Sequence, residues 1–212
     1  MKYEFVIFDC DGVLVDSEGL SSQIFAEEIG KLGWEISPAE VLRRFKGGKF
    51  ADALAEIEAN ITQAMPADFE PSLRRRTFEA FQKDLQAIPG IAAALTALPL
   101  PFCVASNGPR NKIELNLGIT RLLPYFTDRI FSAYELDIWK PDPAFYTTVA
   151  QQMGFAKESC LVIEDSYAGM QSALRAGMDV WVYADKDVEE RIKQAGVPIF
   201  SDMSALPTLI QS

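Results

Sequence analysis

Five short apolar runs are spread along this chain, and each is predicted to be a buried β-strand. The predicted strands are Tyr3–Asp9, Phe102–Ser106, Arg129–Ser132, Leu161–Glu164 and Val180–Tyr183. In the first run the apolar residues are continuous, without the alternation of polar and apolar positions that marks a half-exposed strand. A continuous run is typical of a strand covered on both faces, as in a parallel sheet that has helices on either side.

Helical patterns separate most of these strands. The helices predicted in the second half of the chain are Asn111–Leu117, Pro143–Gln152 and Ser166–Ala176. Pro109 precedes the first of them, and Asp142 is placed as the N-cap of the second. Gly154 and Gly177 follow the second and third, where a left-handed residue commonly ends a helix. Strands that alternate with helices predict an α/β fold with a Rossmann-like, doubly wound parallel sheet.

The long interval between the first two strands is different, because helical patterns fill most of it. An apolar stripe at helical spacing ends at Gly33, and a new helix is predicted to begin at Ser37–Pro38. The stripe consists of Leu20, Ile24, Phe25, Ile29 and Leu32. Further helices are predicted over Ala51–Ala59 and over Glu70–Phe81, with Leu73, Phe78 and Phe81 as apolar anchors. We therefore predict an α/β core of residues 1–16 and 84–212 and a small all-helical cap domain of residues 17–83, inserted after the first strand.

Charge and composition exclude several classes of function. The formal net charge of −10 argues against binding to nucleic acid or to an anionic membrane surface. The three cysteines lie in or beside apolar runs, as buried free thiols do, which is typical of a reducing compartment. Because the chain also lacks a targeting pattern and an apolar run of membrane-spanning length, we expect a cytoplasmic protein. The absence of histidine excludes Ser–His–Asp and Cys–His catalysis, so acid–base work falls to carboxylates, Lys, Tyr, Cys or metal-bound water.

Polar clusters fall where four predicted strands end. They are Asp9-Cys10-Asp11, Ser106-Asn107-Gly108, Lys140-Pro141 and Glu164-Asp165-Ser166. In open parallel α/β sheets the ligand lies beyond the carboxyl ends of the strands, so we expect these four clusters to converge.

The four clusters, in this order, resemble the signature motifs of the haloacid dehalogenase superfamily, phosphatase type. The opening Asp-x-Asp-Gly-x-Leu-x-Asp-Ser, the Lys-Pro-Asp-Pro segment and the Glu-Asp-Ser-x-x-Gly segment carry the resemblance, and the helical insert stands where that family has its cap. The resemblance implies a phosphatase in which Asp9 attacks phosphorus as a covalent nucleophile and Asp11 is the general acid/base. The alternative interpretation of Asp11-Gly12 is a simple turn after a strand.

Four carboxylates in one pocket call for a cation. Asp9, Asp11, Glu164 and Asp165 would repel one another, and Mg²⁺ suits an all-oxygen site that also holds a phosphate. By resemblance, the ligands are the side chain of Asp9, the backbone carbonyl of Asp11 and the side chain of Asp165. Glu164 would ligate the metal directly or through water. The alternative for Glu164-Asp165 is a helix N-cap, and both roles can coexist.

The remaining core motifs are suited to holding phosphate. Ser106 and Asn107 could offer a hydroxyl group and backbone N–H groups to phosphate oxygens, although a helix-entry turn is the competing interpretation. Lys140 would neutralise charge on Asp9 and on the transferring phosphoryl group, and the Pro-Asp-Pro that follows favours a positioned side chain over a solvated one.

The cap contains one candidate specificity loop, Arg44-Phe45-Lys46-Gly47-Gly48-Lys49. It resembles the substrate-specificity loop of the beta-phosphoglucomutase-like group, which implies that Lys46 and Lys49 contact the non-reacting end of the substrate. An exposed turn between helices is the alternative. The run Arg74-Arg75-Arg76 is interpreted as a solvated helix face.

These observations predict a Mg²⁺-dependent phosphatase acting on a small phosphorylated metabolite, with no obligate protein partner. The sequences of the loop and of the motifs resemble those of bacterial sugar-phosphate phosphatases, including the 6-phosphogluconate branch. A phosphosugar mutase is the first alternative, but family mutases carry a cap-linker histidine where this chain has Glu18-Gly19-Leu20-Ser21. A dehalogenase fits less well, because that enzyme needs no metal. A catalytically silent Mg²⁺/phosphate-binding module is the alternative from a different class.

Overall fold

The computed structural model describes residues 2–184 and 188–211, and its centre is a six-stranded parallel sheet. Residue 1, residues 185–187 and residue 212, which the predicted core range includes, lie outside the described residues. The strands are β1 (Phe5–Phe8), β2 (Phe102–Ser106), β3 (Ile130–Ser132), β4 (Cys160–Glu164), β5 (Asp179–Tyr183) and β6 (Ile199–Phe200). Their order across the sheet is β3-β2-β1-β4-β5-β6. The predicted Rossmann-like fold is confirmed.

Eleven α-helices are assigned within the described residues. They are α1 (Glu18–Lys31), α2 (Pro38–Phe45), α3 (Phe50–Asn60), α4 (Phe69–Asp84), α5 (Ile91–Ala97), α6 (Arg110–Ile119), α7 (Ala133–Leu136), α8 (Ala144–Met153), α9 (Tyr167–Ala176), α10 (Glu190–Gln194) and α11 (Leu206–Gln211). Short 3₁₀ turns lie at Leu123–Phe126, Lys157–Ser159 and Met203–Ala205. All five strands predicted from apolar runs are present, with bounds that differ by one or two residues at some ends.

The central strand is buried on both faces, which explains its continuous apolar sequence. Val6 and Phe8 belong to one hydrophobic cluster, whereas Phe5 and Ile7 belong to a second cluster on the opposite face. Because β1 is hydrogen-bonded to β2 on one side and β4 on the other, the strand order reverses around it. Ligands of such sheets bind in the crevice that this reversal opens at the carboxyl ends.

Helices α1 to α4 form the cap, with a small hydrophobic core of its own around Ile29, Ile57 and Leu73. The predicted start of α2 is confirmed, because the Ser37 hydroxyl accepts a hydrogen bond from the Glu40 N–H, as an N-cap does. Phe78 was expected to anchor α4 in the cap interior, but its side chain is 42% exposed. The exact domain boundaries at residues 16/17 and 83/84 stay predictions.

The two chain segments that connect cap and core run beside each other. Val15 and Ala87 form an isolated antiparallel bridge, and the Asp16 N–H donates to the Gln86 carbonyl at 2.9 Å. The cap is therefore attached to the core through two adjacent, hydrogen-bonded segments rather than at distant points of the sheet.

Candidate active site

The first candidate residue, Asp9, follows β1 directly, at the centre of the sheet. Its N–H donates to the Ile163 carbonyl of β4 at 2.9 Å, which continues the strand pairing and fixes the backbone. The carboxylate is buried, and Lys140 Nζ donates to its Oδ1 at 2.6 Å. Burial raises the pKa of Asp9 well above its ordinary value, and Glu164 and Asp165 add to the rise, while Lys140 opposes it.

Lys140 joins the first and fourth motifs. Besides its bond to Asp9, its Nζ donates to Glu164 Oε1 at 2.7 Å, and only 3% of the residue is exposed. Tyr146 of α8 donates its hydroxyl to the same Glu164 oxygen at 2.7 Å. The lysine is thus a positioned, buried cation between two carboxylates, rather than a solvated loop residue.

Both carboxylate oxygens of Glu164 accept several hydrogen bonds, so the group has little capacity to accept more. In addition to the two bonds at Oε1, its Oε2 accepts from the N–H groups of Asp165 and Ser166, at 3.0 Å each, and from the Ser166 hydroxyl at 2.9 Å. A carboxylate offers about four lone-pair positions, and five donors already occupy this one. Gly169 permits the arrangement, because a Cβ at that position would lie 1.7 Å from Glu164 Oε1.

Asp165 is the carboxylate that faces the cap. Lys46 Nζ of the cap lies 2.6 Å from its Oδ2, which has no well-aligned hydrogen-bond donor among the described residues. Burial raises the pKa of Asp165 to about 7, helped by Glu18 and Glu164 and opposed by Lys46. The chain approaches closely at Gly12, whose φ is +76° and where a Cβ would lie 1.8 Å from Asp165 Oδ2, so only glycine is compatible with this geometry.

Asp9, Glu164 and Asp165 form the acid cluster, in which one carboxylate oxygen from each residue lies within 4.8 Å of the others. Three buried carboxylates meet here, and the raised pKa of Asp9 and of Asp165 indicates that Lys140 and Lys46 do not fully balance their charge. All the side-chain donors are oxygens, the ligands that Mg²⁺ prefers. The cluster therefore fits a divalent cation.

Asp11 is not a member of the acid cluster and is held by a separate set of donors. Its Oδ1 accepts from the Ser17 hydroxyl at 2.6 Å and from Asn116 Nδ2 at 3.3 Å, and its Oδ2 accepts from Lys112 Nζ at 2.7 Å. Burial alone would raise the pKa of Asp11, but Lys112, with help from Ser17, brings it below the ordinary value.

The Ser106-Asn107-Gly108 segment lies where β2 ends. Ser106 is buried, and its hydroxyl oxygen accepts from the Gly108 N–H at 3.1 Å. The Asn107 side chain is already engaged: its Oδ1 accepts from the Lys140 N–H at 2.9 Å, and its Nδ2 donates to the Gly47 carbonyl at 3.1 Å. Asn107 therefore connects two core motifs to the cap, a role the sequence did not indicate.

The two cap lysines have different positions. Lys46 reaches into the core to Asp165, so in this structure it stands beside the acid cluster rather than at a distal substrate end. Lys49 Nζ lies 4.1 Å from the ring centroid of Trp139, and no carboxylate within residues 2–184 and 188–211 pairs with it. Gly47, which lies between the two lysines in the sequence, has a φ of +69°. It packs so closely on Ser166 that a Cβ at this position would lie 2.5 Å from the Ser166 Oγ.

These residues line one cavity of about 940 Å³ between cap and core. Its wall includes candidate residues from every motif, namely Asp9, Asp11, Lys46, Lys49, Ser106, Asn107, Lys140 and Asp165. Glu164 is absent from the wall among the described residues, consistent with its enclosed position behind Lys140. Enough space remains for a phosphorylated metabolite of ordinary size.

The arginine run is exposed to solvent in part, and its three side chains lie in different environments. Arg74 lines the cavity, stacks 4.2 Å from the centroid of Phe50 and lies 3.5 Å from the Tyr134 hydroxyl of the core. Arg76 pairs with Glu27 and Glu28 of α1. Only Arg75 is mainly exposed, because successive helical residues point in different directions.

Sequence reasoning missed Lys112 and Asn116, which both contact Asp11. A signal was available, since the two polar residues are four positions apart and lie on the same face of α6. Asn116 is fully buried in a helix whose neighbouring residues Ile113 and Leu117 belong to the core. A buried asparagine needs a polar partner, and here the partner is the motif carboxylate.

Three comparisons relate the chain to known proteins. A 6-phosphogluconate phosphatase of Escherichia coli (strain K12) is 38% identical over 210 residues, covering 98% of this chain and 95% of the relative. A solved haloacid dehalogenase-like protein of unknown function from Agrobacterium tumefaciens has a TM-score of 0.86 and 31% identity, covering 99% of this chain and 98% of that one. A HAD (haloacid dehalogenase) family hydrolase from Deinococcus radiodurans, solved with bound phosphate and sodium, has a TM-score of 0.81 and 30% identity. The match covers 99% of this chain and 95% of that one.

The haloacid dehalogenase-like hydrolase family matches residues 3–177, and the chain belongs to that family. The resemblance drawn from the four motifs is thereby confirmed. The enzyme class is also confirmed, because the family and its phosphatase relatives make the chain a phosphatase. None of the helices in the described residues combines the length and hydropathy needed to cross a bilayer.

Buried carboxyl groups with a raised pKa, Asp165 and Glu18 among them, make the stability of the metal-free protein depend on pH. Burial raises the pKa of Asp165 to about 7, and burial also raises that of Glu18 to about 7. Unfolded carboxyl groups ionise near pH 4, so between about pH 4 and pH 7 the folded chain binds more protons and loses stability as the pH rises. We expect Asp165→Asn, which does not titrate, to gain stability relative to the wild type over this window, by up to about 4 kcal/mol.

Urea unfolding at pH 5 and pH 8 in a metal chelator measures this difference. Asp84→Asn, an exposed substitution at the end of α4, is the control and should track the wild type at both pH values. A stability difference between Asp165→Asn and the wild type that is the same at pH 5 and pH 8 would contradict the assignment of a raised pKa to Asp165.

Proposed function

We propose that this chain hydrolyses the phosphate ester of a small phosphorylated sugar acid, with 6-phosphogluconate as the leading substrate. The observation that carries the proposal is the convergence of Asp9, Asp11 and Lys140 on one cavity at the carboxyl ends of the central strands. The 38% identical relative, a 6-phosphogluconate phosphatase aligned over nearly the full chain, supports the choice of substrate.

In the first chemical step, an Asp9 carboxylate oxygen attacks phosphorus and the bond from phosphorus to the leaving oxygen breaks. The leaving alkoxide takes a proton from the Asp11 carboxyl group, which leaves an aspartyl phosphate on Asp9 and a carboxylate on Asp11. Asp9 suits this role because the 2.6 Å bond from Lys140 occupies only one of its oxygens. Lys140 also reduces the repulsion between the attacking carboxylate and the anionic phosphate.

In the second step, the Asp11 carboxylate takes a proton from a water molecule as its oxygen attacks phosphorus. The bond between phosphorus and Asp9 breaks, inorganic phosphate leaves, and both aspartates return to their starting protonation states. The donors around Asp11 favour its charged form, which is the form needed to accept this proton, and they make the protonated form used in the first step a stronger acid. With no histidine in the chain, Asp11 performs both proton transfers.

The metal site is assigned to the acid cluster. The side chains of Asp9 and Asp165 and the backbone carbonyl of Asp11 would hold Mg²⁺. Glu164 would contribute its negative charge and its bond to Lys140 rather than a ligand, because five donors already occupy its carboxylate. When bound, Mg²⁺ would neutralise charge on the attacking carboxylate and on the phosphate oxygens. Ser106 and the backbone N–H groups that follow it would hold the transferring phosphoryl group.

The distal end of the substrate is assigned to Lys49. The other cations on the cavity wall already have carboxylate partners: Lys46 has Asp165, Arg74 has Glu70, Lys112 has Asp11, and Lys140 has Asp9 and Glu164. Lys49 has none within the described residues, and Trp139 supports its side chain by a cation–π contact. An unpaired cation in the cavity favours a substrate with a second anionic group, such as a sugar acid.

Phosphate release from a panel of phosphorylated metabolites, measured with and without Mg²⁺, tests the proposal. We expect Mg²⁺-dependent release, with the highest kcat/KM for a phosphorylated sugar acid. Conversion of a sugar 1-phosphate to its 6-phosphate without release would favour the mutase instead. No release from any phosphoester would contradict the proposal and favour a binding module.

Lys49→Ala tests the distal contact. We expect the variant to raise KM for 6-phosphogluconate by about tenfold, as loss of one charge-assisted contact predicts, with kcat little changed. For glucose 6-phosphate, which has a neutral distal end, KM should change by less than about twofold. Lys83→Ala, an exposed lysine near the end of α4, is the matched control. Equal changes in KM for both substrates would contradict the proposal that Lys49 binds the anionic distal end of the substrate.

A further inference from the structure

The carboxylate of Asp11 is held on two sides by groups from outside its own motif. Lys112 and Asn116 of α6 donate to its two oxygens at 2.7 and 3.3 Å, more than 100 residues away along the chain. Ser17, the last residue of the same motif, donates at 2.6 Å. Of these donors, Lys112 carries the only positive charge and is the only one that contacts Oδ2.

Helix α6 fixes the direction from which Lys112 approaches. Ile113 and Leu117 are buried in the main hydrophobic core, which sets the rotation of the helix, and Lys112 and Asn116 lie four residues apart on the face toward Asp11. The Lys112 ammonium group also lies 5.9 Å from the ring centroid of Phe81 in the cap helix α4. The lysine therefore approaches Asp11 from a rigid part of the core, at the boundary with the cap.

We propose that Lys112 is a positioning residue that fixes the orientation of the Asp11 carboxyl group for proton transfer to the leaving oxygen and from the attacking water. This inference rests on the proposed phosphatase function. An aspartate side chain has several rotamers, and proton transfer needs the one that brings its oxygen within hydrogen-bond reach of the reacting group. A donor anchored in α6 selects that rotamer before the substrate binds, which lowers the barrier through prior orientation.

This role differs in its kinetic signature from a substrate contact. If Lys112 acts through Asp11, its loss slows the chemical step and leaves ground-state binding almost unchanged, so kcat falls and KM does not rise. If Lys112 instead contacts the substrate, KM rises. If it only stabilises the fold, neither constant of the folded fraction changes.

Lys112→Met is the decisive variant, because it keeps the length and apolar stem of the side chain and removes the charged donor. We expect kcat for 6-phosphogluconate to fall by about 10- to 100-fold, with KM within about twofold of the wild type. Lys157→Met is the matched control, since Lys157 also makes a 2.7 Å bond from a partly buried ammonium group, but to the Ala176 carbonyl far from the cavity wall. Its kcat should equal that of the wild type.

Lys112→Gln is the second variant, for the case that the Met variant does not fold. It keeps a neutral donor and should give a kcat between those of the wild type and the Met variant. Wild-type kcat in either folded variant, or a change confined to KM, overturns the proposal. The failure of the proposed function is a separate result, because then the wild type itself releases no phosphate from any phosphoester.

Discussion

Replacing Asp9 by Asn is expected to reduce phosphate release by at least about 10⁴-fold while leaving the fold intact. The amide has nearly the same shape as the carboxylate but lacks the charge and the nucleophilic oxygen that attack phosphorus. Lys140 keeps its 2.7 Å bond to Glu164, so the variant does not leave the buried ammonium group without a partner. One negative charge also leaves the acid cluster, which reduces repulsion with Glu164 and Asp165.

Steady-state phosphate release and thermal unfolding in a chelator, measured on the same preparation, test this expectation. We expect the Tm to stay within a few degrees of the wild type. Asp84→Asn, an exposed aspartate at the end of α4, is the control for the loss of one negative charge and should retain full activity. Residual turnover above about one per cent in Asp9→Asn would remove Asp9 as the nucleophile.

Replacing Lys140 by Met is expected to reduce both activity and stability. The substitution leaves Asp9 and Glu164 buried without their shared cation, and breaking a buried ion pair in this way typically costs about 3–5 kcal/mol. For a chain of this size the Tm should fall by roughly 6–20 °C in the absence of metal. Activity should fall at least about 10³-fold, because a positioned charge beside the transferring phosphoryl group is lost.

A double variant separates charge imbalance from lost packing. Lys140→Met combined with Asp9→Asn removes one of the two unpaired carboxylates, so it should be more stable than Lys140→Met alone, although it carries one more substitution. The stability deficit of Lys140→Met should also shrink as the pH falls and the carboxylates become protonated. If the double variant is less stable than either single variant, the loss of the ion pair is not the cause of the lower stability of Lys140→Met. Lys83→Met is the exposed control.

The parts of the fold that could be predicted are those in which a local pattern has one structural solution. The short apolar run before Asp9 is typical of a strand buried on both faces, and Ser37-Pro38 is a strong helix start. Because parallel strands end at one edge of the sheet, the order of motifs along the chain also predicted their convergence. The chemical roles predicted for Asp9 and Lys140 came from the resemblance of the motifs to the haloacid dehalogenase superfamily, and the predicted convergence of the motifs supported them.

The parts that could not be predicted depend on contacts between segments distant in sequence. β6 has only two residues, Ile199–Phe200, so its period cannot be recognised, and its pairing with β5 comes from the tertiary structure. Lys112 lies in an amphipathic helix whose rotation determines whether it meets solvent or Asp11. The position of Lys46 against Asp165 depends on how the cap sits over the core, which helical periodicity does not specify.

The antiparallel bridge between Val15 and Ala87 has a consequence for how this architecture can change. The chain leaves the core and returns to it at neighbouring, hydrogen-bonded residues. The whole cap is therefore inserted into the core in the same way as one long surface loop. Because the entropy of closing a loop rises only logarithmically with its length, such a segment can be lengthened, shortened or exchanged at small thermodynamic cost to the sheet. The reaction chemistry and the choice of substrate can therefore evolve almost independently, on separate parts of a single gene product.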